Sequence, residues 1–333
     1  MLDLLNRPVH DLRVSVTDRC NFRCTYCMPK EVFGRDYPFL DRTELLTFEQ
    51  ITRLTGVFAG LGIRKVRLTG GEPLLRRDLA ELIQMMAGLV GIEDLTLTTN
   101  GLLLPQQAPA LKTAGLRRIT ISLDSLDEDV FRAMNGVEVP VSAVLDGIEA
   151  AEEAGLGPIK INAVVRRGVN DHTIVDLARH FRHTGHIVRF IEYMDVGMTN
   201  AWRLNEVITA RQIMDKISAE LPLEPAEPNY RGEVASRWRY LDGGGEIGVV
   251  ASVSEPFCAT CTRARLSPDG RFYTCLFASD GHDLRSLLRR GDSDEQIAAL
   301  IERVWRRRED RYSQIRSANT FVQPRVEMSY IGG

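Results

Sequence analysis

Short β-branched or leucine-rich runs alternate with longer segments of helical periodicity, and this alternation limits the possible folds more than any other feature. Strands that alternate with helices favour a parallel sheet with right-handed crossovers, either an open doubly wound sheet or a barrel. The predicted strands in the N-terminal part are Leu12 to Thr17, Lys65 to Thr69, Asp94 to Thr98, Arg118 to Leu123, Pro158 to Val165 and Ile187 to Glu192.

Helix signals lie between these strands. Thr47-Phe-Glu-Gln has the pattern of a capping box, and the residues after it carry apolar side chains on one helical face. The other predicted helices are Asp78 to Leu89, Val141 to Ala154, Asp171 to Arg182 and Asp294 to Trp305. The last of these ends in Arg306 to Arg311, which is more typical of a solvated helix terminus than of a binding patch.

Six strand-helix units are fewer than the eight of a closed barrel. We therefore expect an α/β fold in which a partial (βα)6 TIM-type barrel, residues 1–225, has its open side covered by a C-terminal α+β domain, residues 226–333. The Pro-rich stretch Leu221 to Pro228 marks the boundary. Short strands are predicted after it, at Glu246 to Val253, Arg263 to Leu266 and Arg271 to Cys275.

Composition excludes several classes of protein. The 333 residues are 44% hydrophobic and 26% charged, without an apolar run long enough to span a bilayer, so disordered, fibrous and membrane-spanning proteins are excluded. Forty-two Lys and Arg against 45 Asp and Glu argue against a general nucleic-acid binder. The N-terminus lacks a signal-peptide pattern, which favours a cytoplasmic location.

The six cysteines form two groups of three. Cys20, Cys24 and Cys27 have the spacing C-x3-C-x2-C, and Cys258, Cys261 and Cys275 the spacing C-x2-C-x13-C. Each group is one thiolate short of the four that a structural zinc or simple ferredoxin cluster requires. A [4Fe–4S] cluster on three cysteines leaves one iron free to bind a small molecule. Zinc completed by a histidine is the alternative, but no histidine has finger-like spacing beside either group.

Polar residues follow several predicted strands, at the edge where barrel enzymes hold their active sites. Thr69-Gly-Gly-Glu-Pro73 combines two glycines, which permit close backbone approach, with a carboxylate that could hold an ammonium group. Thr98-Thr-Asn-Gly101 and Ser122-Leu-Asp124 end two further strands. Taken singly, each is also compatible with ordinary turn and N-cap chemistry.

Basic side chains within otherwise apolar strands are costly to bury without an anion. The six in question are Arg13, Arg67, Lys160, Arg189, Arg263 and Arg265. Arginine matches phosphate oxygens in bidentate fashion, so a nucleoside triphosphate is one candidate anion. Salt bridges to Asp or Glu are the alternative for any single member.

Cys20-Asn-Phe-Arg-Cys24-Thr-Tyr-Cys27, followed by Gly70-Gly-Glu-Pro73, resembles the radical S-adenosylmethionine (SAM) superfamily. The resemblance implies that the three thiolates bind a [4Fe–4S] cluster whose open iron chelates the amino and carboxylate groups of SAM. An electron from the cluster then cleaves SAM to a 5′-deoxyadenosyl radical. SAM-binding residues implied by this family are Tyr26, Gly70, Gly71, Glu72, Ser122 and Met194.

Within that superfamily, nearly the whole chain resembles the GTP 3′,8-cyclase family of molybdenum cofactor biosynthesis. The motifs are Arg13-Val-Ser-Val-Thr-Asp-Arg19, Arg189-Phe-Ile-Glu192, Phe257-Cys-Ala-Thr-Cys-Thr-Arg-Ala-Arg-Leu266, Asp269-Gly270, Cys275-Leu-Phe277 and terminal Gly332-Gly333. Thr262 stands where many members have Asn. The resemblance implies a second [4Fe–4S] cluster whose open iron binds guanine. The radical would abstract the ribose 3′ hydrogen, and C3′ would add to C8, giving 3′,8-cyclo-7,8-dihydro-GTP by lyase chemistry.

The same resemblance implies the remaining roles. The tail residues Gly332 and Gly333 would reach the active site. The partners would be an electron donor and the cyclic pyranopterin monophosphate synthase that acts next. A homodimer is compatible with the resemblance, and no nucleic-acid or membrane partner is expected. The implied GTP-binding residues are Arg13, Arg67, Thr98, Lys160, Arg189, Arg263, Ala264 and Arg265. Three alternatives remain: a radical SAM enzyme acting on a peptide, an iron–sulfur electron carrier, and a zinc-based RNA-binding module.

Overall fold

A computed structural model describes residues 1–230, 232–316 and 324–333. One mixed sheet of twelve strands runs through the described chain in the order β12-β11-β10-β1-β2-β3-β4-β5-β6-β9-β8-β7. The strands are β1 (Asp11–Ser15), β2 (Lys65–Thr69), β3 (Asp94–Thr99), β4 (Arg118–Ser122), β5 (Lys160–Val165), β6 (Ile187–Glu192), β7 (Leu223–Ala226), β8 (Ser236–Tyr240), β9 (Glu246–Val250), β10 (Arg263–Leu266), β11 (Arg271–Tyr273) and β12 (His282–Asp283).

The centre of the sheet consists of parallel strands. β1 to β6 pair in chain order, β10 joins β1 in parallel at one edge, and β9 joins β6 in parallel at the other. The six-unit partial barrel is therefore confirmed, and the C-terminal region extends it from both sides. The predicted boundary between residues 225 and 226 falls inside β7 and stays a prediction.

Helices connect the parallel strands. The capping box at Thr47 is confirmed: its hydroxyl accepts from the Gln50 amide, and the Gln50 side chain accepts from the Thr47 amide. The helices are α1 (Phe48–Gly60), α2 (Leu79–Ala87), α3 (Leu104–Thr113), α4 (Glu128–Asn135), α5 (Val141–Glu153), α6 (Ile174–Phe181), α7 (Ala210–Ser218), α8 (Arg285–Arg290), α9 (Asp294–Arg306), α10 (Tyr312–Ile315) and α11 (Met328–Ile331).

Some element ends differ from the predicted ones, for local reasons. The predicted helix from Asp171 starts at Ile174, because the Asp171 carboxylate accepts from the Gly168 amide at 2.7 Å and closes a turn instead. The stretch expected to be only a connection contains β7, an edge strand whose Pro225 can be accommodated there. Across the described ranges, no helix is both long enough and apolar enough to cross a membrane.

Alternating burial along the parallel strands separates two environments. In β1, β2, β5 and β6, every second residue is buried, and the residues between them are partly exposed except for Ser15 and Thr69 at the strand ends, which are buried too. The buried set, such as Leu12, Val66 and Ile161, belongs to the apolar core. The intervening set, including Arg13, Arg67, Lys160 and Arg189, lines the lumen. The strand pattern thus places the predicted basic residues inside the barrel.

Candidate active site

One cavity of about 340 Å³ brings most predicted site residues together. Ala264 and Gly332 are the exceptions: the Ala264 side chain is buried in the apolar core, and Gly332 packs against Thr69. The predicted residues that line it are Arg13, Cys20, Cys24, Tyr26, Cys27, Arg67, Gly70, Gly71, Glu72, Thr98, Ser122, Lys160, Arg189, Met194, Cys258, Cys261, Arg263, Arg265, Cys275 and Gly333.

The loop of the first cysteine group packs closely on the end of β2. The Gly71 amide donates to Thr17 and the Glu72 amide donates to the Arg19 carbonyl, both at 2.8 Å. A Cβ atom on Gly71 would lie 2.5 Å from the Arg19 carbonyl carbon, so the position requires glycine. The glycines of this motif therefore permit the cysteine loop and the strand end to meet, in addition to any approach of a ligand.

Tyr26 fixes the other side of the same loop. Its hydroxyl donates to the Asp124 carboxylate at 2.9 Å, and the other Asp124 oxygen accepts from the Val164 amide at 2.8 Å. Burial raises the pKa of Asp124 to about 7, against the opposing effect of these hydrogen bonds. The contact anchors the residue before Cys27 to the ends of β4 and β5.

Glu72 is buried, and both of its carboxylate oxygens already have donors. Oε1 accepts from the Thr99 hydroxyl at 2.7 Å and the Leu74 amide at 3.0 Å, while Oε2 accepts from the Asn100 amide at 2.8 Å. Burial raises its pKa to about 7, and these three hydrogen bonds oppose that rise. Glu72 thus joins the ends of β2 and β3, and of the roughly four lone-pair sites of a carboxylate one, on Oε2, is left without a donor at the cavity that Glu72 lines.

The cysteines of the first group are partly buried thiols. All three are unpaired and partly exposed, since they face the cavity. Burial raises the pKa of Cys20 to about 12, with a further contribution from Glu72, and burial also raises the pKa of Cys24 and Cys27. Such thiols become ligands by losing their protons to solvent as a metal binds, and the metal–thiolate bonds offset the free-energy cost of deprotonation.

The second group has a different electrostatic setting. Arg263 donates to the Cys261 sulfur from Nε at 3.3 Å and from Nη2 at 3.2 Å, and Arg308 donates from 3.2 Å. Burial alone would raise the Cys261 pKa, but these two guanidinium groups outweigh it and lower the value to about 6. Cys261 is therefore held toward the thiolate form that binds metals.

Arg308 corrects one expectation. The basic end of the last predicted helix was expected to be solvated, yet Arg308 is 4% exposed and bonds to Asp3, the Cys261 carbonyl and the Cys261 sulfur. The chain leaves α9 at Arg306 and turns inward, so Arg308 lies under the second cysteine group. Neither composition nor helical period distinguishes it from its exposed neighbours, which is why the sequence did not indicate this role.

The donor set fits two iron–sulfur clusters. Six unpaired cysteines in two groups face one cavity, and thiolates are the ligands that such clusters use. Among the described residues, no three His, Cys, Asp or Glu side chains already stand grouped as a metal site. The fit therefore rests on donor identity and on placement at one cavity. The guanidinium groups of Arg263 and Arg308, which donate to the Cys261 sulfur and favour its thiolate form, also support the fit.

The six basic residues of the lumen form no salt bridge with any carboxylate in the described chain. Arg67 donates to the hydroxyls of Thr98 and Thr120 at 2.9 and 3.0 Å, and Arg189 donates to Asn162 at 2.9 Å. Arg263 donates to Cys261 sulfur and Arg265 to the Gly332 carbonyl. Arg13 and Lys160 have neither a hydrogen bond nor an ion pair with described side chains. The salt-bridge alternative is thus excluded for the described residues.

Burial and neighbouring positive charges lower the pKa values of five of these six groups, whereas the pKa of Arg263 is raised because the adjacent Cys261 outweighs burial. Burial, followed by the charges of Arg265, Arg263 and Arg67, lowers the pKa of Arg13. Burial and then Arg189 lower the pKa of Lys160 to about 7. Both shifts measure the cost of concentrating positive charge in a partly desolvated lumen. An anion of several negative charges would relieve that cost.

Among the lumen residues that were not predicted from the sequence are Lys65 and Asn100. Lys65 lies in the cavity wall, with its Nζ 3.6 Å from Asp94 and 3.9 Å from Asp11, and its place two residues before Arg67 on the same face of β2 could have indicated it. Asn100 also lines the cavity, and its side chain donates to Asn21 in the cysteine loop at 2.7 Å. Asn100 belongs to the polar motif Thr98 to Gly101 at the end of β3, and that motif could have indicated its position in the cavity.

Two family models match the chain. The Radical SAM superfamily model covers residues 14–181, and the Molybdenum Cofactor Synthesis C model covers residues 186–314. Among solved structures, Streptococcus suis SuiB bound to S-adenosylmethionine has a TM-score of 0.63 at 15% identity and covers 88% of this chain and 68% of its own. At that identity the likeness shows the fold alone.

Relatives named GTP 3′,8-cyclase match along the full length. The protein of Acidothermus cellulolyticus is 51% identical, covering 99% of this chain and 98% of its own. The protein of Xanthomonas campestris pv. campestris is 51% identical, covering 100% and 97%, and that of Staphylococcus epidermidis is 48% identical, covering 99% and 98%. The chain therefore belongs to the GTP 3′,8-cyclase family within the radical SAM superfamily.

Proposed function

We propose that this protein is a radical SAM enzyme that converts GTP to 3′,8-cyclo-7,8-dihydro-GTP, the first step of molybdenum cofactor biosynthesis. Family membership supports the reaction, and the lumen supports a polyanionic substrate. The observation that carries the substrate assignment is the set of six lumen cations without a carboxylate partner in the described chain.

The two cysteine groups would hold the two clusters at opposite ends of one cavity, because the first group follows the end of β1 and Cys258 and Cys261 precede the start of β10, the parallel neighbour of β1. Cys20, Cys24 and Cys27 would hold the first, and Cys258, Cys261 and Cys275 the second. When bound, the first cluster and SAM supply the 5′-deoxyadenosyl radical chemistry of the superfamily.

The residues of the chain bind and orient the substrates. We propose that Arg13, Arg67, Lys160, Arg189 and the Arg263 to Arg265 segment receive the triphosphate, with Thr98 orienting Arg67 through their 2.9 Å hydrogen bond. The Ala264 side chain points into the core, so only its backbone can take part. Position, rather than acid–base catalysis, would be the main contribution of these groups.

The residues assigned to SAM surround the first cysteine loop. Gly70, Gly71 and Glu72 directly follow β2, Ser122 ends β4, and Tyr26 and Met194 line the same cavity. Backbone groups of the glycine motif and the one remaining acceptor site on Glu72 Oε2 suit the methionine ammonium.

Several finer points belong to the same proposal. The reaction has lyase character, the electron comes from a separate donor, and the product passes to a cyclic pyranopterin monophosphate synthase. We also propose a cytoplasmic location and a homodimer. Gly332 and Gly333 complete the active site from the C-terminus, since Gly333 lines the cavity.

Product analysis tests the proposal directly. The protein is reconstituted anaerobically with iron and sulfide and incubated with SAM, a strong reductant and GTP, with ATP and CTP in parallel. We expect GTP to be consumed with formation of a product of unchanged mass and phosphate number. Consumption of ATP or CTP at the same rate, or none of GTP with iron incorporation verified, would overturn the substrate assignment.

A further inference from the structure

Two carboxylates join the loop after β6, residues 193–202, to the C-terminal segment, of which residues 311–316 and 324–333 are described. The last of these ranges is called the tail. One carboxylate comes from each side, so the connection is reciprocal: Asp195 of the loop meets the C-terminal segment, and Glu327 of that segment meets the loop. We call this arrangement the clasp and define it by Asp195, Tyr312, Arg316, Arg325 and Glu327.

Asp195 is 1% exposed and gathers groups from both sides of the part of the C-terminal segment that is not described. Its Oδ2 accepts from the Tyr312 hydroxyl at 2.5 Å and from Arg325 at 2.9 Å, and its Oδ1 lies 2.9 Å from Arg316. The Asp195 carbonyl accepts from Arg325 as well. A single buried carboxylate therefore fixes three side chains of the C-terminal segment.

Glu327 forms the other half of the clasp. Its Oε1 accepts from the Met198 amide at 2.9 Å, and its Oε2 accepts from the Thr199 hydroxyl at 3.0 Å. The carboxylate also packs against Gly197, where a Cβ atom would collide with it. The loop and the C-terminal segment are thus in direct contact at Gly197 and Glu327.

The inner side of the loop contacts the first cysteine group. Asn200 donates to the Met194 carbonyl at 3.0 Å and to the Tyr26 carbonyl at 3.5 Å, and the Tyr193 hydroxyl donates to the Asn200 carbonyl at 2.7 Å. Met194 itself lines the cavity. The loop therefore rests on the part of the cavity to which SAM is assigned.

The C-terminal segment contacts the opposite part of the cavity. Tyr312 stacks on Phe277 with ring centroids 4.3 Å apart, and the Phe277 amide donates to the Cys275 sulfur at 3.5 Å. Five residues after Glu327, the Gly332 carbonyl accepts from Arg265. The segment thus reaches both the second cysteine group and the triphosphate side of the lumen.

We infer that Asp195 is a positioning residue: through the clasp it holds the C-terminal tail at Arg265 and couples SAM binding at the loop to GTP conversion. The inference rests on the proposed function. Because loop and tail share one buried carboxylate, a change in either is transmitted to the other, and the coupling is reciprocal. If this coupling is lost, SAM is still cleaved but GTP is not correctly placed to react.

The test compares Asp195→Asn with Asp146→Asn, a matched change at an exposed aspartate of α5. Glu327→Gln weakens the second carboxylate of the clasp, and Tyr312→Phe removes one donor to the Asp195 carboxylate. Each reconstituted protein is assayed for iron content, for GTP consumed per 5′-deoxyadenosine formed, and for amide hydrogen exchange in the peptide 324–333. Exchange reports the position of the tail without requiring turnover.

We expect Asp195→Asn to keep its iron, to exchange tail amides about tenfold faster, and to lower the ratio of GTP to 5′-deoxyadenosine about tenfold, because a buried charged hydrogen-bond network is lost. Glu327→Gln should act in the same direction and Tyr312→Phe less strongly. Asp146→Asn should match the wild type.

Wild-type exchange and a wild-type ratio in iron-loaded Asp195→Asn would overturn the inference. If that variant fails to retain iron, Glu327→Gln and Tyr312→Phe decide in the same two assays, and unchanged values in both overturn it. Failure of the wild type to convert GTP would instead refute the proposed function, while the exchange measurement still tests the clasp.

Discussion

Arg13 on β1 lies directly opposite Arg265 on β10, in parallel register, and Arg67 on β2 lies opposite Arg13 on the other side. Three guanidinium groups therefore stand in a row across three adjacent strands. Like charges in such a row are destabilising. A sequence retains this arrangement only where an anion compensates, so the row is the structural basis of the substrate assignment.

The first prediction concerns the cost of that row. Arg13→Met should stabilise the ligand-free protein by roughly 1 kcal/mol or more, because a desolvated charge without a partner is replaced by an apolar group of similar length. The same change should weaken GTP binding at least about tenfold, since one charge-assisted contact is lost. Thermal unfolding with and without GTP measures both effects.

Arg211→Met is the control for this prediction, because Arg211 is 88% exposed and lies 3.8 Å from Asp215. It should leave stability and GTP affinity nearly unchanged. A lower melting temperature of ligand-free Arg13→Met together with wild-type GTP affinity would contradict the role given to the arginine row.

The second prediction follows from the Lys160 pKa of about 7, which burial and Arg189 lower from an ordinary value of 10.5. Between pH 7 and about 10.5, the unfolded chain carries a proton on this lysine that the folded, empty protein lacks. This group therefore makes the empty protein more stable as pH rises through that window. A triphosphate favours the charged form, so GTP binding should take up protons above pH 7 and weaken as pH rises.

Calorimetric titration with GTP in buffers of different ionisation enthalpy measures this uptake. At pH 8 we expect a net uptake in the wild type that is lost in Lys160→Met. Equal uptake in the two proteins would show that another group is responsible.

The third prediction concerns the contact between β2 and the cysteine loop. Gly71→Ala places a methyl group against the Arg19 backbone, so the loop must shift and the first cluster should be lost, with total iron falling by about half. Gly60→Ala is the control, since no heavy atom lies within 4 Å of the added carbon. Iron and sulfide analysis after reconstitution distinguishes them. Full iron loading in Gly71→Ala would show that the close packing is dispensable.

The fourth prediction concerns the chain end. Removal of Gly332 and Gly333 should abolish GTP conversion while both clusters still assemble, because the Arg265 contact is lost but no cysteine contact is. Iron content and GTP consumption measured on the same sample test this. Wild-type turnover of the truncated protein would remove the tail from the active site.

The sequence predicted the elements that obey simple periodicity. All six N-terminal strands and the Thr47 capping box are present, because alternating burial and cap chemistry are local properties. It also indicated the lumen cations, since a basic residue inside an apolar strand is unusual. The sequence did not indicate β7, an edge strand that contains Pro225, or β8, the strand beside it, in which the charged Arg237 and Arg239 obscure the strand pattern.

Contacts between distant segments could not be predicted from local patterns. Arg308 is separated from Cys261 by 47 positions and Asp195 from Arg325 by 130. The residues around Arg308 and Asp195 in the sequence do not indicate which distant residue each contacts. The division at residue 225 and the individual ligand contacts stay predictions. Tertiary packing, rather than periodicity, determines which arginine is solvated and which lies under a cysteine.

The central claim is that one cavity performs radical SAM chemistry on GTP. The most direct test is to reconstitute the protein anaerobically, add SAM and a strong reductant, and quantify 5′-deoxyadenosine with and without GTP. The account predicts strong stimulation by GTP, with the guanine nucleotide consumed. Formation of 5′-deoxyadenosine that ignores GTP, or none at all with iron incorporation verified, would contradict it.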